Sequence, residues 1–313
     1  MGVKENAKLI LQSCMDIKPD ENVLVVTDDA TIGIGQALYE ASLELGTDAM
    51  LLTMAPRSVS GEEPPAAVAA AMKAADVVLC PMQTSITHTN AKIEAAKAGA
   101  RIATMPGITD DMFSNGAMTA DYTVVKDLTE KITALLDKAN VARIEKDGCV
   151  LTMNISGRPG KPSTGVYKNK GEAGNLPSGE AFIAPLEDGS EGTMIIDGSM
   201  VGVGLLEEPI KLFVSGGKLR KIEGYCSGRL SILLENENNA TLCEFGIGTN
   251  YAARITGVIL EDEKASNTVH IAFGTNTGFG GLNKAGCHID GIIKEPTVYL
   301  DDIMILDKGR FIV

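Results

Sequence analysis

The first 140 or so residues alternate short apolar runs with segments of helical periodicity, and that rhythm constrains the fold more than any other feature. Residues 6–17 carry apolar side chains at helical spacing and stop at Lys18-Pro19-Asp20, a turn signal. Residues 23–27 and 49–54 then read as short buried strands around a helix over 32–45 closed by Gly46. Pro64-Pro65 opens an alanine-rich helix, because proline is at home in a first turn. Residues 77–80 and 101–105 continue the strand series, with a helix over 90–98 closed by Gly99 between them. A fifth strand is predicted over 122–125, followed by an amphipathic helix over 127–139. Short apolar strands separated by helices predict a parallel sheet of the doubly wound α/β type.

From about residue 141 the character changes. Glycine becomes frequent and short β-rich runs dominate, at 149–155, 181–185, 192–196, 210–214 and 221–223, with one helical stretch over 228–238. The predicted fold class is therefore α/β: an N-terminal parallel-sheet domain over 1–143, lining a cleft, followed by a β-rich α+β metal-binding domain over 144–313. Gly33-Ile34-Gly35 invites a dinucleotide reading, but Leu38 stands where the third glycine would fall, so NAD is rejected.

Composition narrows the partners. A formal charge of −13 argues against nucleic acid and anionic lipid, and the absence of Trp argues against a base-stacking platform. The six cysteines form no C-x-x-C pair and read as reduced thiols. No apolar run reaches membrane-spanning length and the start lacks the plan of a signal peptide, so a cytoplasmic protein is expected.

Two of the three histidines, His270 and His288, fall in the glycine-rich stretch from Glu244 to Asp290. His288-Ile289-Asp290 puts both polar side chains on one side of an extended segment. His270 sits in an alternating run, Thr268-Val269-His270-Ile271-Ala272-Phe273, that reads as a strand. Glu244 sits in an apolar context, where a carboxylate is costly unless paired or bound to a cation, while Glu180 heads the run Ala181 to Pro185 and also reads as an exposed turn residue. Three carboxylates and two imidazoles suit one or two divalent first-row metals. His88 follows the third predicted strand, where ligands bind in open parallel sheets; it reads equally as a substrate or proton-relay group and as a helix cap.

The runs Asn175 to Glu180, Glu244 to Asn250, Asp262-Glu263-Lys264, Thr268 to Gly274 and His288 to Asp290, with Thr87-His88-Thr89 and Arg101 to Thr109, resemble the aminopeptidase T family of leucyl aminopeptidase-like metallopeptidases. The resemblance implies a homodimer and metal ligands Glu180, Glu244, His270, His288 and Asp290. It also implies hydrolysis of a peptide or small amide by a metal-activated water, with Glu180 or Glu244 as base and His88 contacting substrate. Zn²⁺ is the expected ion, one or two per chain, with Fe(II), Co²⁺ or Mn²⁺ as alternatives. Thr277 stands where the peptidases carry a tyrosine, and the interval between the two histidines is short. Both departures point to weak activity on leucyl peptides. The same superfamily contains 2,5-dihydroxypyridine 5,6-dioxygenase, for whose single Fe(II) His270, His288 and Asp290 would suffice. A ring-cleaving dioxygenase is thus the alternative function, with a non-catalytic metal-binding paralogue as a third.

Overall fold

A computed structural model describes residues 2–313. The chain divides into two compact units, residues 1–126 with 164–178, and residues 127–163 with 179–313. The division differs from a single cut at 143/144. Residues 127–143 count with the second unit because Ile132, Leu136 and Ala142 are buried in its core. Residues 164–178 return to the first unit, where they add a strand.

The first unit holds a five-stranded sheet in the order Asp48–Thr53, Asn22–Thr27, Val77–Met82, Arg101–Pro106, Ala173–Asn175. All four pairings are parallel. The central strands are buried almost throughout, which is why they read as continuous apolar runs. The fifth strand is Ala173–Asn175, and the predicted strand over 122–125 is instead the start of the helix Tyr122–Leu136. Tyr122, Val125, Ile132 and Leu136 are buried at intervals of three, seven and four, so helical period wins over local β-propensity. Gly35 has a packing role: a Cβ there would lie 2.9 Å from the Cβ of Thr27.

The second unit is built on two antiparallel sheets. One has eight strands, with Val141–Lys146 and Cys149–Asn154 near its middle. The other has seven, in the order Gly204–Leu205, Ser199–Met200, His288–Lys294, Thr268–Gly274, Leu242–Gly248, Glu180–Ile183, Lys161–Ser163. Side chains of both sheets share one core: Ile144, Leu151, Met153 and Met194 from the first meet Ile183, Phe245, Ile247, Ile271, Phe273 and Ile293 from the second. The helical stretch predicted over 228–238 is a 3₁₀ segment, Ser227–Leu234. Among the described residues no helix is long and apolar enough to cross a membrane.

One buried carboxylate organises the loop between the strands Leu242–Gly248 and Thr268–Gly274. Asp262 is fully buried and accepts from the Thr256 amide at 2.7 Å, the Gly257 amide at 2.9 Å and the hydroxyls of Thr256 and Ser199. Asp262→Ala strands these donors and should lower the unfolding free energy by about 1–3 kcal/mol or more. A urea midpoint equal to that of the parent chain would refute the assignment.

Candidate metal centre

Strand periodicity sorts the seven-stranded sheet into two chemically opposite faces. Ala181, Ile183, Phe245, Ile247, Val269, Ile271, Phe273, Ile289 and Ile293 enter the core. The alternate positions, Glu180, Phe182, Glu244, Gly246, His270, Ala272, His288 and Asp290, must therefore share the other face. Register brings them together. Gly246 lies opposite both Phe182 and His270, and Ala272 lies opposite both Glu244 and Asp290.

The five expected ligands form one continuous chain of contacts. His270 Nε2 is 3.3 Å from Glu244 Oε1 and 3.6 Å from Glu180 Oε2. His288 Nε2 is 3.3 Å from Glu244 Oε2 and 3.4 Å from Asp290 Oδ1. Glu244, His270 and Asp290 each offer one donor atom within 4.8 Å of the others. His288 Nδ1 lies 2.9 Å from the Thr275 carbonyl oxygen, which can only accept, so Nδ1 carries a proton and Nε2 faces the carboxylates.

The electrostatics follow from burial and pairing. Burial works to raise the Glu244 carboxyl, but hydrogen bonds from His270 and His288 outweigh it and hold the group at about 2. Burial works against a charged His270, yet Glu244 and Glu180 raise it to about 9. His288 is likewise raised well above the ordinary imidazole value, Asp290 outweighing burial. In the metal-free protein both imidazoles hold protons in the place where a cation would sit. Glu180 Oε2 is buried with no hydrogen-bond partner, as is His270 Nδ1. A buried carboxylate oxygen without a donor, beside further carboxylates and two imidazoles, fits a divalent cation.

Close approach makes the site possible. A Cβ at Gly246 would lie 2.1 Å from both Cε1 and Nε2 of His270, so the imidazole rests across bare backbone. Two residues given no role by the sequence also belong here. Lys264, 1% exposed, sits 2.6 Å from Glu180 Oε1 and also contacts Glu263. Burial opposes its charge, but Glu180 and Glu263 hold it above the ordinary lysine value. Nothing in the local pattern around Lys264 signals burial, which only the folded chain supplies. Phe279 is the second: its ring lies edge-on to His288 at 6.1 Å and to Phe182 at 5.4 Å. His88 belongs to the first unit, exposed in the turn before the helix Asn90–Ala98, whose N-cap is Thr89.

A sequence model of the family described as NicX, 2,5-dihydroxypyridine 5,6-dioxygenase, matches residues 5–313. The chain belongs to that family. No curated protein sequence matches it. Among solved structures it is similar to 2,5-dihydroxypyridine dioxygenase from Pseudomonas putida, with 19% identity over 99% of this chain and 97% of that one and a TM-score of 0.83. It is also similar to wild-type AmpT from Thermus thermophilus, with 17% identity over 99% of each chain and a TM-score of 0.75. At these identities the likenesses show a shared fold.

Family membership corrects the functional expectation. The hydrolase reading, with its aminopeptidase and metalloprotease labels, is overturned by the match over nearly the whole chain to a dioxygenase family. The preference for Zn²⁺ followed from hydrolysis and has no separate support; what stands is a donor set for a divalent metal. Thr277 is exposed on a turn, with no side chain long enough to act as the missing tyrosine would.

Two expectations follow. Gly246→Ala should push the His270 ring aside and reduce metal affinity by roughly 10-fold or more, the scale of lost ligand support, while the chain stays folded. Full metal occupancy in that variant, by elemental analysis, would contradict the geometry. Metal uptake must also displace protons from the raised imidazoles. Apparent affinity should therefore fall as pH drops below about 9, near tenfold per pH unit for each proton displaced. Calorimetric titration in buffers of different ionisation enthalpy counts those protons, and uptake with none released at pH 7 would contradict it.

Proposed function

We propose that the chain is a non-haem Fe(II) dioxygenase that opens the ring of a dihydroxypyridine, with the ion held by His270, His288 and Asp290. The observation that carries this reading is the arrangement of two imidazoles and one carboxylate on adjacent strands of one sheet face. That donor set is the one suited to Fe(II) with positions left open for substrate and oxygen. Membership of the dioxygenase family over residues 5–313 supports it independently.

A bound Fe(II) would supply the one-electron chemistry toward dioxygen that no side chain offers. The chain's own groups do the rest. His288 is held in one orientation by its Nδ1–H bond to Thr275. Glu244 faces Nε2 of both histidines, and once those nitrogens are deprotonated its two oxygens become acceptors for a substrate hydroxyl proton. Phe182 and Phe279 form an aromatic wall beside His288, which suits a flat ring. Glu180 keeps one oxygen pointed toward His270 and gives the other to Lys264.

Protein reconstituted with Fe(II) under anaerobic conditions should consume one O₂ per ring opened when given 2,5-dihydroxypyridine and air. Loss of the pyridine absorbance and an oxygen electrode together give the ratio. His270→Ala should lower turnover by roughly 10²-fold or more and lose most of its iron. Failure of the iron-loaded parent chain to take up oxygen with any dihydroxypyridine isomer would sink the proposal.

A further inference from the structure

We propose that Lys264 is a built-in substitute for a second cation, and that its ammonium confines this centre to one metal ion. The inference rests on the single-ion reading above and concerns residues that reading leaves without a role. Beside the first donor group lies another, Glu180, Glu263 and His270, whose donor atoms also fall within 4.8 Å of one another. The two groups meet at His270, whose Nε2 can ligate one ion at a time, so a second ion beside the first would draw on Glu180 and Glu263. Lys264 fills the second position. Its Nζ lies 2.6 Å from Glu180 Oε1 and also bonds Glu263 Oε1.

Three features make this a fixed placement. Lys264 is among the largest fully buried side chains, so the ammonium has no water to return to. Its backbone is pinned at both ends: the amide donates to the Glu261 carbonyl at 3.0 Å and the carbonyl accepts from the Asn250 amide at 2.8 Å. Gly248 lets that loop press close, since a Cβ there would lie 2.0 Å from the Ala265 carbonyl oxygen and 2.8 Å from the Lys264 carbonyl carbon. Glu180 consequently straddles two positive positions. One oxygen is taken by the ammonium; the other, buried and without a partner, faces His270 Nε2 at 3.6 Å. An ammonium is a compact point charge with three donors, so it can occupy a cation's place between carboxylates while repelling a dication from it. Lys264 thus acts as a positioning residue, holding Glu180 and setting the number of ions.

The test counts ions with Mn²⁺ and requires no turnover. The parent chain should saturate at one Mn²⁺ per chain in excess metal, with the electron paramagnetic resonance spectrum of an isolated ion. Lys264→Ala should take up a second Mn²⁺ and show exchange coupling between two ions sharing Glu180. Lys264→Met, which preserves side-chain volume, carries the same expectation should the alanine variant fail to fold. Two coupled ions in the parent chain would overturn the inference and leave the ring-opening assay untouched. A folded lysine variant that still stops at one ion would overturn it equally. Failure of ring opening with the ion count as stated would instead remove the proposed reaction alone.

Discussion

The structure of the second unit depends on one electrostatic constraint: a patch of buried charge must be neutralised from within. Glu180, Glu244, Asp290, His270 and Lys264 are all at most 7% exposed. An unpaired ion in such surroundings costs several kcal/mol even after relaxation. Each group here faces an opposite charge, and the imidazoles take up protons to complete the balance. A divalent cation can replace those protons without altering the carboxylates around it. Metal and proton are therefore competing solutions to the same problem.

The backbone is shaped to let that patch exist. Glycine at 246 and alanine at 272 stand opposite the large polar residues on neighbouring strands, and the His270 imidazole rests across the bare backbone of Gly246. The opposite face of the same strands is wholly apolar and merges with the second sheet. A shift of register by one residue would bury the charges in that core and expose its isoleucines and phenylalanines. The loop that delivers Lys264 is tied down by Asp262, whose oxygens accept from the backbone amides of Thr256 and Gly257.

Fold alone does not choose the reaction. Solved structures of a dihydroxypyridine dioxygenase and of AmpT both align with 99% of this chain. The sheet here presents carboxylates and imidazoles, and the chemistry they support depends on which ion they would hold and on what lies beside it. The neighbours here are an ammonium, an aromatic wall and an exposed threonine at position 277.

Alternation of apolar runs with helices was enough, by itself, to determine four of the five strands of the first unit's parallel sheet, because strands buried on both faces leave a continuous apolar record. The H-x-D spacing determined that His288 and Asp290 share one side of their strand, and period-two alternation set the side on which His270 projects from its own, because both are local geometry; the pairing that brings the two strands together is tertiary. Glu180 was grouped with them by its chemistry and by family resemblance, but the contact itself is tertiary, since its strand pairs with one more than sixty residues later in the chain. The burial of Lys264 was equally hidden, because a lysine beside two acids has the same local pattern whether solvated or enclosed. So was the return of residues 164–178 to the first unit, where the three-residue strand Ala173–Asn175 is too short for any periodicity to register. Local order is written in spacing, but charge pairing and strand neighbours at long range exist only once the chain has closed on itself.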